Sequence, residues 1–330
     1  MKKAITAALG CFFALVMLPC AAWADELYVG GQAVGIEISA EGVIVSGFSE
    51  VQTADGAVSP AKDAGFELGD IIIKMEGRDI RCAEDLIAAT AAIDGREACV
   101  TALRDGKTVE LTVRPALADT DQWLLGMWLR DGVSGIGTVT FVDPESGTFG
   151  ALGHSVSDEN TGRTVPLKSG SLYAAQISGV TPGTPGQPGE LSGSGDGSAP
   201  LGEVEKNTPE GIFGHICTEM HGTTAQTGDI RTGAATIVAT LSGSEPREFS
   251  VEIDRVYSDG GQTHAMFTVT DDELVDSAGG IVQGMSGSPI IQDGCIVGAV
   301  THVFINDPRK GFAIGIYDML NAAELDELAA

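Results

Sequence analysis

The sequence predicts a mainly β protein of two domains. Three observations carry this. The chain has 330 residues, enough for two domains of ordinary size. Short runs rich in Val, Ile and Thr recur along it, separated by glycine turn signals. Near Trp123 the composition shifts, and Gly, Ser and Thr become dense.

A leader comes first. Lys2 and Lys3 precede an apolar stretch, Ala4 to Leu18, and Ala22-Trp23-Ala24 is a small-x-small cleavage signal. A signal peptide over 1–24, cut after Ala24, is expected, with an uncleaved anchor as the alternative; either places the bulk of the protein outside the cytoplasm. Pro19 before Cys20 fits a lipoprotein signal poorly. No other segment is long and apolar enough to span a membrane. The formal charge of −27 becomes −29 once Lys2 and Lys3 leave. Such a chain does not seek nucleic acid or anionic lipid, and the charge reads as solubility. Six cysteines fall to four without Cys11 and Cys20. That is too few for a disulfide scaffold, and it leaves two readings open: buried free thiols or a Cys82–Cys99 bridge.

In the first domain Glu41 to Phe48 reads as a strand after a turn. Ser59 to Phe66 reads as a short helix, with Ser59 as N-cap, Pro60 at the first helical position and Gly65 ending it. Leu68 to Gly77 is a strand running into a turn, and Cys82 to Ala92 has helical spacing. Cys99–Arg104 and Thr108–Val113 form a hairpin around Asp105-Gly106. The phrase SPAKDAGFELGDIIIKMEGRDI, from Ser59 to Ile80, resembles a PDZ domain, here given the bounds 25–117. The resemblance implies that an extended peptide adds to a sheet edge. The matching edge would be Ala33 to Ile38, with peptide contacts at Gly31, Val34, Gly35 and Ile36. The rival reading is that these glycines merely turn the chain.

The second domain, 118–330, has many short strands with turn signals, which argues for a β-barrel or a sandwich. Val180 to Leu201 is rich in Gly, Pro and Ser and is expected to be a long surface loop, while Tyr317 to Leu328 has helical spacing. Its chemistry centres on Ser286, in Gly284-Met285-Ser286-Gly287-Ser288-Pro289. A serine hydroxyl is a poor nucleophile until an imidazole takes its proton and a carboxylate holds that imidazole in the right tautomer. Small neighbours let backbone N–H groups face the developing oxyanion, and those of Gly284 and Ser286 are the candidates. The mature chain has histidines at 154, 215, 221, 264 and 302. His154 follows a glycine-flanked stretch at a strand tip, and His302 follows the strand after the serine. His215, Cys217 and His221 form a loose cluster without a fourth ligand, so no metal site is expected, and no cofactor is implied.

At this point the chain resembles a family, the sporulation stage IV B signalling peptidases, serine endopeptidases of spore-forming bacteria. The likeness rests on Gly135 to Thr138, Gly150 to His154, Asn207 to Gly214, Gly279 to Ile291 and Gly298 to Pro308. Carried over residue by residue, it implies His154 as base, Ser286 as nucleophile and Asp271 as orienting acid. Asp272 stands next to it, where the family often has proline. The order His, Asp, Ser is that of chymotrypsin-like proteases. The fold expected is therefore an N-terminal PDZ domain followed by a chymotrypsin-like double β-barrel. The resemblance further implies an exported regulatory protease that cuts a membrane-associated protein complex between the two membranes of the sporulating cell, activates a mother-cell sigma factor and cleaves itself. A catalytically silent binding module is disfavoured because all three residues are present. A quality-control protease is disfavoured because the PDZ domain comes first. A paralogue with another exported substrate stays open.

Overall fold

The computed structural model describes residues 26–195, 199–218 and 222–324. The leader, with Cys11 and Cys20, lies outside them, as does His221. β1 (Leu27–Val29) leads into β2 (Ala33–Phe48), a strand of 16 residues. An α/β unit follows: β3 (Val51–Thr53), β4 (Gly56–Val58), α1 (Pro60–Asp63), β5 (Ile71–Met75), β6 (Arg78–Asp79), α2 (Ala83–Ile93), β7 (Ala98–Arg104) and β8 (Lys107–Val113). The short pair β9 (Ala116–Leu117) and β10 (Trp123–Leu124) returns the chain to a second 16-residue strand, β11 (Met127–Val142). Then come β12 (Thr148–Ala151), β13 (Leu167–Thr181), β14 (Glu190–Gly195), β15 (Gly202–Thr208), β16 (Gly211–Ile216) and β17 (Thr224–Ala225). The last part holds β18 (Gly233–Ala239), β19 (Arg247–Asp259), β20 (Gln262–Val269), α3 (Asp272–Ala278), β21 (Pro289–Gln292), β22 (Cys295–Phe304), β23 (Asp307–Gly315) and α4 (Ile316–Glu324).

Two six-stranded barrels result. The second closes in the order β18-β19-β20-β23-β22-β21. Its strands alternate apolar-in and polar-out, so that Phe249, Val251 and Ile253 of β19 point inward. The first closes through β2-β11-β12-β16-β15-β13 and back to β2. Its core holds Val34, Ile36, Ile38, Phe149, Leu172 and Ile212. α4 packs between the two, burying Ile316 and Met319 with Phe141, Phe213 and Ile314.

β2 and β11 are shared, and this corrects the domain reading. At about 50 Å, each is long enough to serve two sheets. The first half of β2 belongs to the first barrel, where Gly35 pairs with Ile136 of β11 and with Tyr173 of β13. Its second half enters the α/β unit, where Val43 and Ile44 pair with Ile72 and Ile71 of β5. The PDZ unit is therefore inserted between the first two strands of a barrel rather than placed ahead of it. The expected boundary at 25–117 gives it about fifteen residues that close the barrel instead. Glycine marks each joint. Gly42 has φ +120, and a Cβ there would stand 2.4 Å from the Ile72 carbonyl oxygen. The register shifts between Arg130 and Gly132, where a Cβ would meet the Ile38 carbonyl oxygen at 2.1 Å.

Other expectations are settled nearby. The Asp105-Gly106 hairpin forms, with φ +51 and +70 at its turn. Ser59 stands at the N-cap of α1 but makes no side-chain cap bond. The stretch from Val180 to Leu201 is not a long loop over its described residues, because β14 folds back on β13, pairing Thr181 with Glu190. The four cysteines are free, and Cys99 and Cys217 are exposed, so neither a bridge nor full burial describes them. No helix among the described residues is long and apolar enough to cross a membrane.

The inserted unit has its own core around Val43, Ile72, Met75, Leu86 and Val100. Asp70, fully buried, receives Arg104 through two bonds of 2.7 Å. Removing the arginine would leave a buried charge held only by the Glu67 N–H at 2.9 Å. Arg104→Ala is therefore expected to destabilise this unit by about 3–5 kcal/mol, read as a lowered urea midpoint, whereas the exposed Arg114→Ala should change little.

Candidate active site

The serine loop lies between the barrels, and hydrogen bonds to both hold it. Toward the first barrel, the Thr138 N–H donates to the Ser286 carbonyl at 2.9 Å. The hydroxyls of Thr138 and Thr140 donate to the carbonyls of Gly284 and Gly287, each at 2.8 Å. Toward the second, the Gly287 N–H donates to the Val300 carbonyl at 2.7 Å. Gly287 itself lies directly against β11. It has φ +94, and a Cβ would stand 2.0 Å from the Thr138 carbonyl oxygen. Glycine lets the loop close on β11. The N–H groups of Gly284 and Ser286, the expected oxyanion donors, meet no acceptor among the described residues.

His154 follows β12 by two left-handed residues, Leu152 at φ +70 and Gly153 at φ +68, which lift it off the strand end. Its Nδ1 lies 2.8 Å from the Ser155 carbonyl oxygen. A carbonyl only accepts, so Nδ1 carries the hydrogen and Nε2 is left as a base. Burial lowers the pKa of His154, an effect the Ser155 carbonyl opposes. His302 is its neighbour, with ring centroids 4.6 Å apart. Burial first, and the charge of His154 second, lower the pKa of His302 to about 4. Both rings are thus neutral near pH 7. Thr301 joins the parts: its carbonyl accepts the Ser286 hydroxyl at 2.7 Å, and its methyl lies 3.1 Å from where a Cβ on Gly153 would stand. In this resting arrangement the serine hydrogen points to a carbonyl. For His154 to act as its base, the hydroxyl would have to turn to Nε2.

Asp271 is the point at which the structure departs from the expected triad. Its carboxylate caps α3, accepting from the Leu274 N–H at 3.1 Å and from the Ser250 N–H at 3.2 Å. The hydrogen bond of the His154 ring goes to Ser155 instead. Asp272, the alternative acid, is the first residue of the same helix. Sequence reasoning missed the backbone acceptor because a carbonyl has no residue signature. His215 pairs with Glu205 at 3.1 Å, and no cluster among the described residues is placed to hold a metal.

The family model described as SpoIVB peptidase S55 matches residues 121–320, and that of the PDZ domain matches residues 43–114. The chain belongs to the SpoIVB peptidase S55 family. The PDZ match starts beyond the barrel-closing half of β2, in agreement with the inserted position. Among curated relatives, Metalloprotease MmpA of Caulobacter vibrioides is 34% identical over 88 residues, 26% of this chain and 22% of that protein. The match thus spans about a fifth of that relative. Among solved structures, the active form of the Rv3671c protease from M. tuberculosis is 15% identical, covering 58% of this chain and 74% of that one at a TM-score of 0.37. The inactive form is 14% identical, covering 59% and 84% at a TM-score of 0.33.

The expected peptide edge needs a correction. Val34, Gly35 and Ile36 are paired on both sides by β11 and β13, and Gly31 donates to the Val139 carbonyl, so no strand can add there. The open edge is elsewhere. The first half of β11, from Met127 to Asp131, pairs with β2 on one side only. α2 lies along its other side, where the Ala83 N–H donates to Asp131 at 2.7 Å and the Trp123 indole donates to Asp94 at 3.1 Å. Ile87, on the same helical stripe as Ala83 and Asp94, is 62% exposed. The preceding loop, Leu125-Gly126, has N–H groups that meet no acceptor among the described residues. The signal was legible in Leu124-Leu125-Gly126-Met127, an apolar turn opening a strand, but Gly30-Gly31 offered a similar pattern.

Two expectations follow. Asp271→Asn, which keeps an oxygen for capping, should leave kcat/KM within about threefold, whereas loss of an orienting acid costs about 10⁴-fold; steady-state kinetics on a quenched peptide decides. Because a lowered pKa keeps His154 unprotonated to lower pH, the acid limb of kcat/KM should fall below the usual histidine value of about 6.5.

Proposed function

We propose that this protein is an exported serine endopeptidase in which Ser286 attacks the scissile carbonyl. His154 takes the serine proton and returns it to the leaving amine. The N–H groups of Gly284 and Ser286 hold the oxyanion. The observation that carries this reading is the serine loop pinned between two barrels and packed, through Gly287 and Thr301, on the Leu152-Gly153 turn that presents a neutral, singly hydrogen-bonded His154. No cofactor or metal takes part in it.

The natural substrate is a protein. The resemblance to sporulation stage IV B peptidases supports a membrane-associated regulatory complex as its target, with sigma-factor activation as the outcome and self-cleavage as a side activity. The leader over 1–24 supports an extracytoplasmic site of action. The PDZ unit would present or gate substrate by adding an extended peptide to the open edge of β11. β11 itself supports gating, since its second half holds the serine loop.

Self-cleavage tests the chemistry. Residues 25–330 as wild type should give fragments by intact mass that Ser286→Ala does not, and silence from both would count against it. Ile87→Glu should weaken capture of a peptide with an apolar C-terminus by about tenfold or more in Kd, measured by fluorescence anisotropy, with labelling of Ser286 by a fluorophosphonate unchanged.

A further inference from the structure

The imidazole of His154 is oriented by a backbone carbonyl, and a carbonyl is only as fixed as its peptide plane. That plane joins Ser155 to Val156. Its carbonyl accepts from His154 Nδ1 at 2.8 Å, and its N–H, on Val156, donates to the side-chain oxygen of Asn207 at 2.8 Å. The same peptide unit is thus held at one end by the catalytic base and at the other by Asn207.

Asn207 grips the segment further. Its amide nitrogen donates to the Val156 carbonyl and to the Val165 carbonyl, each at 2.9 Å. These three bonds use the acceptor and both donors of one carboxamide. They close the base of the hairpin over residues 155–165, where Val165 also donates to Val156 at 3.0 Å. Asn207 stands on β15, where it pairs with Ile212 of β16. The grip therefore comes from a barrel strand rather than from a loop, and the position of Asn207 is set by the ladder. The other side-chain bonds beside the histidine stay within the hairpin, where the Ser155 hydroxyl meets those of Ser157 at 3.2 Å and Thr164 at 3.1 Å. Asp158 spends Oδ1 on Asn160 and Thr161, while its Oδ2 is buried without a partner.

We infer that Asn207 is a positioning residue for the peptidase reaction: it fixes the Ser155–Val156 peptide plane, and through it the Nδ1–H tautomer of His154. In this chain a carboxamide acting through one peptide unit does what a carboxylate does elsewhere. Asp271 is engaged as the cap of α3.

The inference rests on the proposed peptidase chemistry for its kinetic arm only. The full chain, labelled with ¹⁵N-histidine, is compared as wild type, Asn207→Ala and Asn207→Asp, with His154→Gln to assign the resonances. Wild-type His154 should show the Nδ1–H tautomer by long-range ¹H–¹⁵N correlation, and Asn207→Ala should show a mixture. Per serine titrated with a fluorophosphonate, kcat should fall by about tenfold or more in Asn207→Ala, with KM nearly unchanged. Asn207→Asp keeps the acceptor for Val156 and loses both donors, so it should fall between the two, and it keeps the question open to test if the alanine variant does not fold. Wild-type tautomer and wild-type kcat per titrated site in Asn207→Asp, or in a folded Asn207→Ala, would overturn the inference. A wild-type chain that neither labels nor cleaves would overturn the peptidase reading, while the tautomer comparison would still decide the role of Asn207.

Discussion

Two long strands carry the architecture. β2 and β11 run side by side from the PDZ unit into the first barrel, and their shared ladder continues through both. A bulge and a glycine at the joint let one ladder bend between two sheets without breaking. The placement of the inserted unit follows from this ladder. So does the identity of the open edge, because the half of β2 that might have received a peptide is closed on both sides.

The same ladder links recognition to chemistry. β11 offers its first half to a peptide and uses Thr138 and Thr140 in its second half to hold the serine loop. The hairpin after His154 reaches the PDZ unit as well: Arg163 pairs with Asp105 at 2.7 Å and donates to the Leu68 carbonyl at 3.2 Å. Ser286 and His154 are therefore each attached to an element that touches the inserted unit. The contact at Arg163 is partly exposed and weak on its own, whereas the strand is continuous.

The site works with neutral, poorly hydrated groups. Burial keeps both His154 and His302 unprotonated, which leaves Nε2 free as a base. The serine donates its hydrogen to Thr301 until it turns. The loop backbone around the serine is meanwhile fixed from both barrels.

Much of this was legible in the residues. The turn chemistry of Asp105-Gly106, the strand periodicities and the Gly-Met-Ser-Gly-Ser-Pro loop each depend on local sterics, and local sterics are written in sequence. The sequence by itself determined most of the elements and marked Ser286 and His154 as the candidate nucleophile and base. Tertiary structure decided which sheet Val34 to Ile38 joins, since an alternating strand fits any sheet with an apolar face. It also decided that Asp271 caps a helix and that Ser155 and Asn207 stand around His154. A carboxylate satisfies a backbone N–H as readily as an imidazole, and a carbonyl is present at every residue, so only proximity selects among them.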